Sequence, residues 1–394
     1  MKKILTSLAS MTLTSCSLIY TISCDSNEKD NQNQSKPETP TNPDPETPTN
    51  PDPETPTNPD PETPTWNNKN LLIGYWYDWG GTYQEKVKLS DINLSYDVVN
   101  LSFLYTSKSY EMPSFSPVNP TEVKEGVKKL HQNNKKVLIS MGGQTGEAMR
   151  FREDQKDNLK NTILNVIKEY ELDGLDIDWE GSCLADRISQ NVTSQALIEI
   201  KEQWKKENKE FFITMAPELP YLKTSTENSG GSYIPFFKKL DGYYNWINPQ
   251  FYNGWAFGPY VEQEEASELG LGYGSVITND DKEKRAEFYY LMTKYLTIKH
   301  SNLNGFYLID PNKFVLGAST NEPAGRGAAN EIAIKRTYEL LKKNNIKIRG
   351  LMTWALNYDA YEGEIDSTLN GKEYFKKWSF ANWYLQTFAN QNIK

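Results

Sequence analysis

The stretch Asp173-Gly174-Leu175-Asp176-Ile177-Asp178-Trp179-Glu180 sets carboxylates at alternate positions with bulky apolar residues between them. On a strand, successive side chains point to opposite sides, so Asp176, Asp178 and Glu180 share one face while Leu175, Ile177 and Trp179 share the other. Three acids in file repel one another, and burial sharpens the repulsion unless protons are shared. Such a row is costly as structure and useful as acid-base machinery. Only two histidines, His131 and His300, occur in 394 residues, which leaves little room for a histidine triad or a histidine-rich metal site. Carboxylates must therefore carry the chemistry, and no metal or cofactor is expected.

The elements that would hold this row can be read from periodicity. Short apolar runs predict strands at Leu71–Trp76, Asp97–Leu104, Lys136–Gly142, Gly174–Trp179, Phe211–Pro217, Trp246–Tyr252, Phe314–Ala318 and Gly350–Ala355. Amphipathic patterns between them predict helices at Glu122–Asn133, Lys156–Tyr170, Ser194–Glu207, Asp281–Tyr295, Asn330–Asn344 and Gly371–Gln386. Strands alternating with helices imply right-handed crossovers and a parallel sheet, and eight such units predict an α/β fold, a single closed (β/α)8 TIM barrel. Chemistry in that fold sits at the carboxyl ends of strands, where Glu180 follows the fourth. Other strand ends are also polar or aromatic: Gly74 to Trp79, Ser140 to Gly143, Met215 to Glu218, Gln250 to Gly254 and Met352 to Trp354. Pro249 removes a ladder donor from the sixth strand, which is expected to kink or bulge there.

Composition narrows the partner. A net charge of −9 argues against nucleic acid, and 24 Tyr with 10 Trp exceed what packing needs, suiting surfaces that stack on flat ligand faces such as sugar rings. Residues 1–23 have the charged start and apolar middle of a lipoprotein-type signal peptide. Cys24 is the preferred lipidation residue, since cleavage there removes Leu18, Ile19 and Tyr20; Cys16 lies in a second such box, and plain secretion is the alternative. Residues 24–65 form a tether in which Pro-Glu-Thr-Pro-Thr-Asn-Pro-Asp repeats with period eight, an extended spacer of about 3 Å per residue. The expected product is exported and anchored outside the cell membrane, touching the membrane only through this anchor. Residues 66–394 form the barrel, in which Cys183 is the single cysteine, so no disulfide framework is available.

Taken together, D-G-x-D-x-D-x-E at Asp173–Glu180 and S-x-G-G at Ser140–Gly143 resemble glycoside hydrolase family 18, the retaining chitinases. Gly231–Pro235, Gln250–Asn253 and Arg349–Asp359 look most like the bacterial chitinase D group. The resemblance implies a chitinase acting on β-1,4 bonds of chitin or chito-oligosaccharides as a monomer, in which the substrate's own 2-acetamido oxygen replaces an enzymic nucleophile. It implies that Glu180 is the acid/base, that Asp178 steadies the oxazolinium ion, and that Asp176 holds a shared proton deeper in, near Ser140 and Tyr75. Tyr252 matches the tyrosine that binds the acetamido oxygen, beside Gln250 and Asn253. Trp354 matches the tryptophan flooring the cleavage subsite, Met215 is expected against the acetamido side, and Trp76, Trp79 and Trp255 are candidate stacking platforms. Ala355 and Tyr358 stand where the group has Ser and Trp, so the surroundings of Trp354 should differ. Only one loop and one helix fit between Ala318 and Gly350, so the insertion domain between strands seven and eight is absent and an open groove with internal cleavage follows. The alternatives are an endo-β-N-acetylglucosaminidase acting on N-glycan cores and a non-catalytic surface glycan-binding protein; retention of Glu180 argues against the second.

Overall fold

The computed structural model describes residue 66 and residues 69–228, 230–254, 257–367 and 371–390. The signal peptide, the tether, Cys16 and Cys24 lie outside these residues, as does Trp255. Eight parallel strands run in chain order: β1 (Leu71–Trp76), β2 (Val98–Leu104), β3 (Lys136–Gly142), β4 (Gly174–Asp178), β5 (Phe212–Met215), β6 (Trp246–Ile247), β7 (Val315–Ser319) and β8 (Gly350–Trp354). Their spatial order is β6-β5-β4-β3-β2-β1-β8-β7. The remaining seam, β6 to β7, is closed by the parallel bridges Ile247 to Phe314 and Gln250 to Gly317. The chain is thus the expected (β/α)8 barrel. Among the described residues no helix is long and apolar enough to cross a membrane.

The surrounding helices are α1 (Pro120–Gln132), α2 (Lys156–Tyr170), α3 (Arg187–Lys206), α4 (Ile234–Lys239), α5 (Gln263–Leu269), α6 (Arg285–Thr297), α7 (Glu331–Lys343), α8 (Leu356–Asp359) and α9 (Ser379–Gln386). Strand residues alternate between two cores. Tyr75, Leu138, Phe212, Trp246 and Met352 fill the barrel, whereas Val99, Ile139, Ile177 and Met215 pack outward against helices. Each fully buried side chain of this kind contributes about 1.5 to 3 kcal/mol. Between Ser319 and Gly350 the chain makes one loop, α7 and a turn, so no insertion domain walls the groove.

Three sequence expectations are corrected. The segment from Gly371 is not helical throughout: Gly371–Phe375 is β10, paired antiparallel with β9 (Gly363–Ser367), and helix begins only at Ser379. Gly371 has φ 72°, a turn conformation that a helical reading of its apolar spacing overlooks. The helix predicted from Ser194 begins at Arg187, where the Asp186 carboxylate accepts from the Ile188 and Ser189 amides. Its first turns bury Ser189, Gln190 and Thr193, polar residues that show no apolar stripe. Finally, β6 is two residues long, because the chain breaks its ladder before Pro249 and rejoins β7 through single bridges.

Candidate active site

Strand β4 carries the row as its alternation predicts. Asp176 is fully buried inside the barrel and Asp178 is 4% exposed, while Trp179 faces outward, edge-on to Phe236 at 5.2 Å. Glu180 follows at the mouth and is half-buried. Tyr233, just before α4, holds this strand end: its hydroxyl accepts from the Trp179 amide at 2.7 Å and donates to the Trp179 carbonyl at 2.8 Å.

Asp176 accepts three hydroxyl hydrogen bonds, from Tyr75 (2.6 Å), Ser140 (2.9 Å) and Thr214 (2.5 Å). Burial raises its pKa, and those three donors pull it back. The predicted neighbourhood of Ser140 and Tyr75 is therefore present; Thr214 and Asn248, which donates to the Tyr75 hydroxyl at 3.2 Å, are additions. Asp178 is pushed far above the carboxylate range by burial first, then by the charges of Glu180, Asp176 and Glu218. Burial also raises Glu180 to about 7, assisted by the charges of Glu218 and Glu147 and opposed by the Gln250 amide. Two charges one strand repeat apart, about 6.6 Å, repel by roughly 2.5 kcal/mol at an effective dielectric near 20. A repulsion of that size is worth a little under two pH units, so it adds to burial in keeping the row from ionising together.

Gln250 is placed differently from the substrate contact expected of it. Its side-chain amide donates to the Asp178 carboxylate at 2.8 Å and to the Ala216 carbonyl at 2.9 Å, so it orients Asp178. Tyr252, 7% exposed, lies near enough to Asp178, Glu180 and Glu218 for their charges, after burial, to raise its phenol well above the usual range. Asn253 (φ 65°) is exposed and engages the β7–α7 loop: its amide N–H donates to the Arg326 carbonyl at 2.8 Å, and its side-chain oxygen accepts from the Arg326 amide at 3.0 Å.

Trp354, partly exposed at the end of β8, stacks on Phe103 at 5.7 Å and 13°, with Tyr77 at 5.4 Å and Tyr75 at 5.8 Å. The peptides Ser102–Phe103 and Trp354–Ala355 are cis. Trp79 stacks on Tyr77 at 4.1 Å and is 42% exposed, an aromatic face open at the groove beside Phe103. Two expectations fail here. Trp76 is buried in the outer core, its indole N–H on the Val87 carbonyl, and offers no platform. Met215 pairs with Ile177 and faces the helices, one residue out of phase with the inward Thr214, so it cannot touch a sugar in the barrel mouth. Cys183 is buried and free, its thiol on the Glu180 carbonyl at 3.0 Å.

Glu218 is the carboxylate that sequence reasoning noted at a strand end and gave no role. It is half-buried, and its backbone bridges to Gln250, whose amide steadies Asp178. Its place after the inward Ala216 at the end of β5 could have flagged it. Among the described residues no group of three acidic, histidine or cysteine side chains could hold a metal ion.

A parallel eight-stranded barrel with a buried row of acids at the carboxyl end of β4, ringed by aromatic faces, defines a glycoside hydrolase. Glycosyl hydrolases family 18 matches residues 71–384, and the chain belongs to that family. It is 31% identical over 320 residues to a chitinase of Enterococcus faecalis, covering 78% of this chain and 85% of that one. Chitinase D of Niallia circulans is 28% identical over 331 residues, covering 74% of this chain and 59% of its own length. Among solved structures, a family 18 chitinase from Chromobacterium violaceum superposes with a TM-score of 0.60 at 20% identity, covering 81% of this chain and 83% of that one.

Proposed function

We propose that this chain hydrolyses β-1,4 bonds between N-acetylglucosamine residues of chitin or chito-oligosaccharides, internally and with retention, by substrate-assisted catalysis. The observation that carries the reading is the row itself: Glu180, raised to about 7, stands at the groove mouth with Asp178 behind it and Tyr252 beside both. The names of its relatives, a chitinase and Chitinase D, support the substrate class. Trp354 and Trp79 would offer their faces to sugar rings.

In the first step the acetamido carbonyl oxygen bonds to the anomeric carbon as the glycosidic bond breaks, and the Glu180 proton goes to the departing oxygen. The acetamido N–H donates to Asp178, which gives up its share of the proton to Asp176 and so offsets the charge of the oxazolinium ion, while Tyr252 fixes the acetamido oxygen. In the second, Glu180 takes a proton from water as that water adds to the anomeric carbon and the ring opens. Two displacements at one carbon retain configuration.

Incubation with a chitin hexamer, with products resolved by length and anomer, tests the proposal. The β-anomer should form first, and Glu180→Gln should lower kcat by about 10² to 10⁴. Initial α-anomer, or turnover untouched in Glu180→Gln, would sink it. Cleavage of a denatured glycoprotein in place of the hexamer would favour the N-glycan alternative, and binding of the hexamer without cleavage a lectin. We further propose that the chain is exported and acylated at Cys24; labelling with a palmitate analogue, lost in Cys24→Ser, checks this.

A further inference from the structure

The loop joining β7 to α7 carries only two charged side chains, Glu322 and Arg326, yet it is tied down from three directions. Arg285, 2% exposed at the start of α6, reaches Glu322 at 3.2 Å and also donates to the Ala328 carbonyl. Glu322 in turn accepts from the Ala328 amide at 3.2 Å. Tyr289 donates to the Gly327 carbonyl at 3.1 Å, and Ser319 Oγ to the Gly325 carbonyl at 2.7 Å. These bonds draw the loop's middle against the ring of Tyr252. A Cβ on Gly325 would lie 3.1 Å from Tyr252 Cδ2 and 3.0 Å from Ser319 Cβ, tighter than nearly all packed Cβ contacts, so a neighbour must give by a few tenths of an ångström. On the far side of the same ring's backbone, Asn253 grips the Arg326 amide and carbonyl.

We propose that the β7–α7 loop is a backrest that sets where the Tyr252 hydroxyl points, with Gly325 as the positioning residue and the Arg285–Glu322 pair as its anchor. Glycine is favoured here for want of space, not for its backbone freedom. A methyl at 325 must displace either Ser319, held in the β7 ladder, or the ring of Tyr252, which lies in a bend beyond β6; the ring gives. The inference rests on the reading of Tyr252 as the group that fixes the acetamido oxygen, a contact that tightens as the bond breaks. Displacement by a few tenths of an ångström therefore lowers kcat and leaves KM nearly unchanged.

A double-mutant cycle on the chitin hexamer tests it, using Gly325→Ala, Tyr252→Phe and both together. Gly325→Ala should lower kcat by about tenfold with KM changed less than about twofold. In the Tyr252→Phe background, where no hydroxyl is left to misplace, the same change should cost less than about twofold. Equal losses in both backgrounds, or no loss in either, would overturn the inference while leaving the glycosidase reading intact. An inactive wild type would overturn both. Should Gly325→Ala not fold, Ser319→Ala frees the Gly325 carbonyl without adding atoms. Its expected kcat loss of about threefold must likewise vanish without the Tyr252 hydroxyl.

Discussion

Glu180 shows how much one side chain's surroundings decide. In its proposed role as the acid it must be protonated to act, so activity should fall as pH rises through about 7. Burial is the larger cause of that value and the Glu218 charge the next, so Glu218→Gln should move the alkaline limb of kcat/KM to lower pH; an unmoved limb would show that Glu218 does not reach the acid. The same displacement costs stability. Between an unfolded value of 4.5 and a folded value near 7 the native state binds more protons, so stability is retained at the acid end of that window and lost as pH rises through 7. The loss is on the order of 3 kcal/mol, which Glu180→Gln should recover at pH 8 but not at pH 4, as read by denaturant titration. What made the row legible is parity: alternate positions on one strand share a face whatever else surrounds them. The Thr214 bond to Asp176 and the Gln250 bond to Asp178 were beyond such reasoning because they depend on how β5 and β6 register against β4. Met215 shows the same dependence, since an error of one residue in phase moved it from the groove to the helix side.

Elements are held together here by caps that sequence periodicity does not display. Asp359, at the end of α8, is fully buried and accepts from the Phe380 amide at 2.8 Å, the Ala381 amide at 3.3 Å and the Tyr96 hydroxyl at 2.8 Å. It thereby caps α9 from outside that helix, and burial lifts its pKa to about 6 against those three donors. Asp359→Ala strands two buried amides and a phenol and should cost about 2 to 4 kcal/mol, measurable as a lowered denaturation midpoint with unchanged slope. A loss within 0.5 kcal/mol, the usual range of about ±0.5 for plain surface changes, would refute the capping role. The long strands and amphipathic helices could be read from period alone. The β9–β10 hairpin could not, because Gly371–Phe375 carries an apolar spacing that reads as the start of the helix that follows, while Gly371 takes φ 72° in a turn.

At the scale of the molecule, what the chain omits shapes the groove as much as what it contains. Any wall raised on the β7 side would have to come from residues between Ser319 and Gly350, and those are spent on the Tyr252 backrest, α7 and a turn. Past β8 from there, Trp79 after β1 offers an open ring beside the stacked pair Phe103 and Trp354. On the proposed internal mode of cleavage, a polysaccharide is laid in from the side and not threaded from an end. On soluble glycol chitin this predicts that viscosity falls well before reducing ends accumulate, since each random internal cut halves chain length on average whereas each terminal cut removes one short unit. On the hexamer the first products should include trimer together with dimer and tetramer. Dimer released alone, with viscosity tracking reducing ends, would mean that the groove selects a chain end by some device other than a wall between β7 and β8.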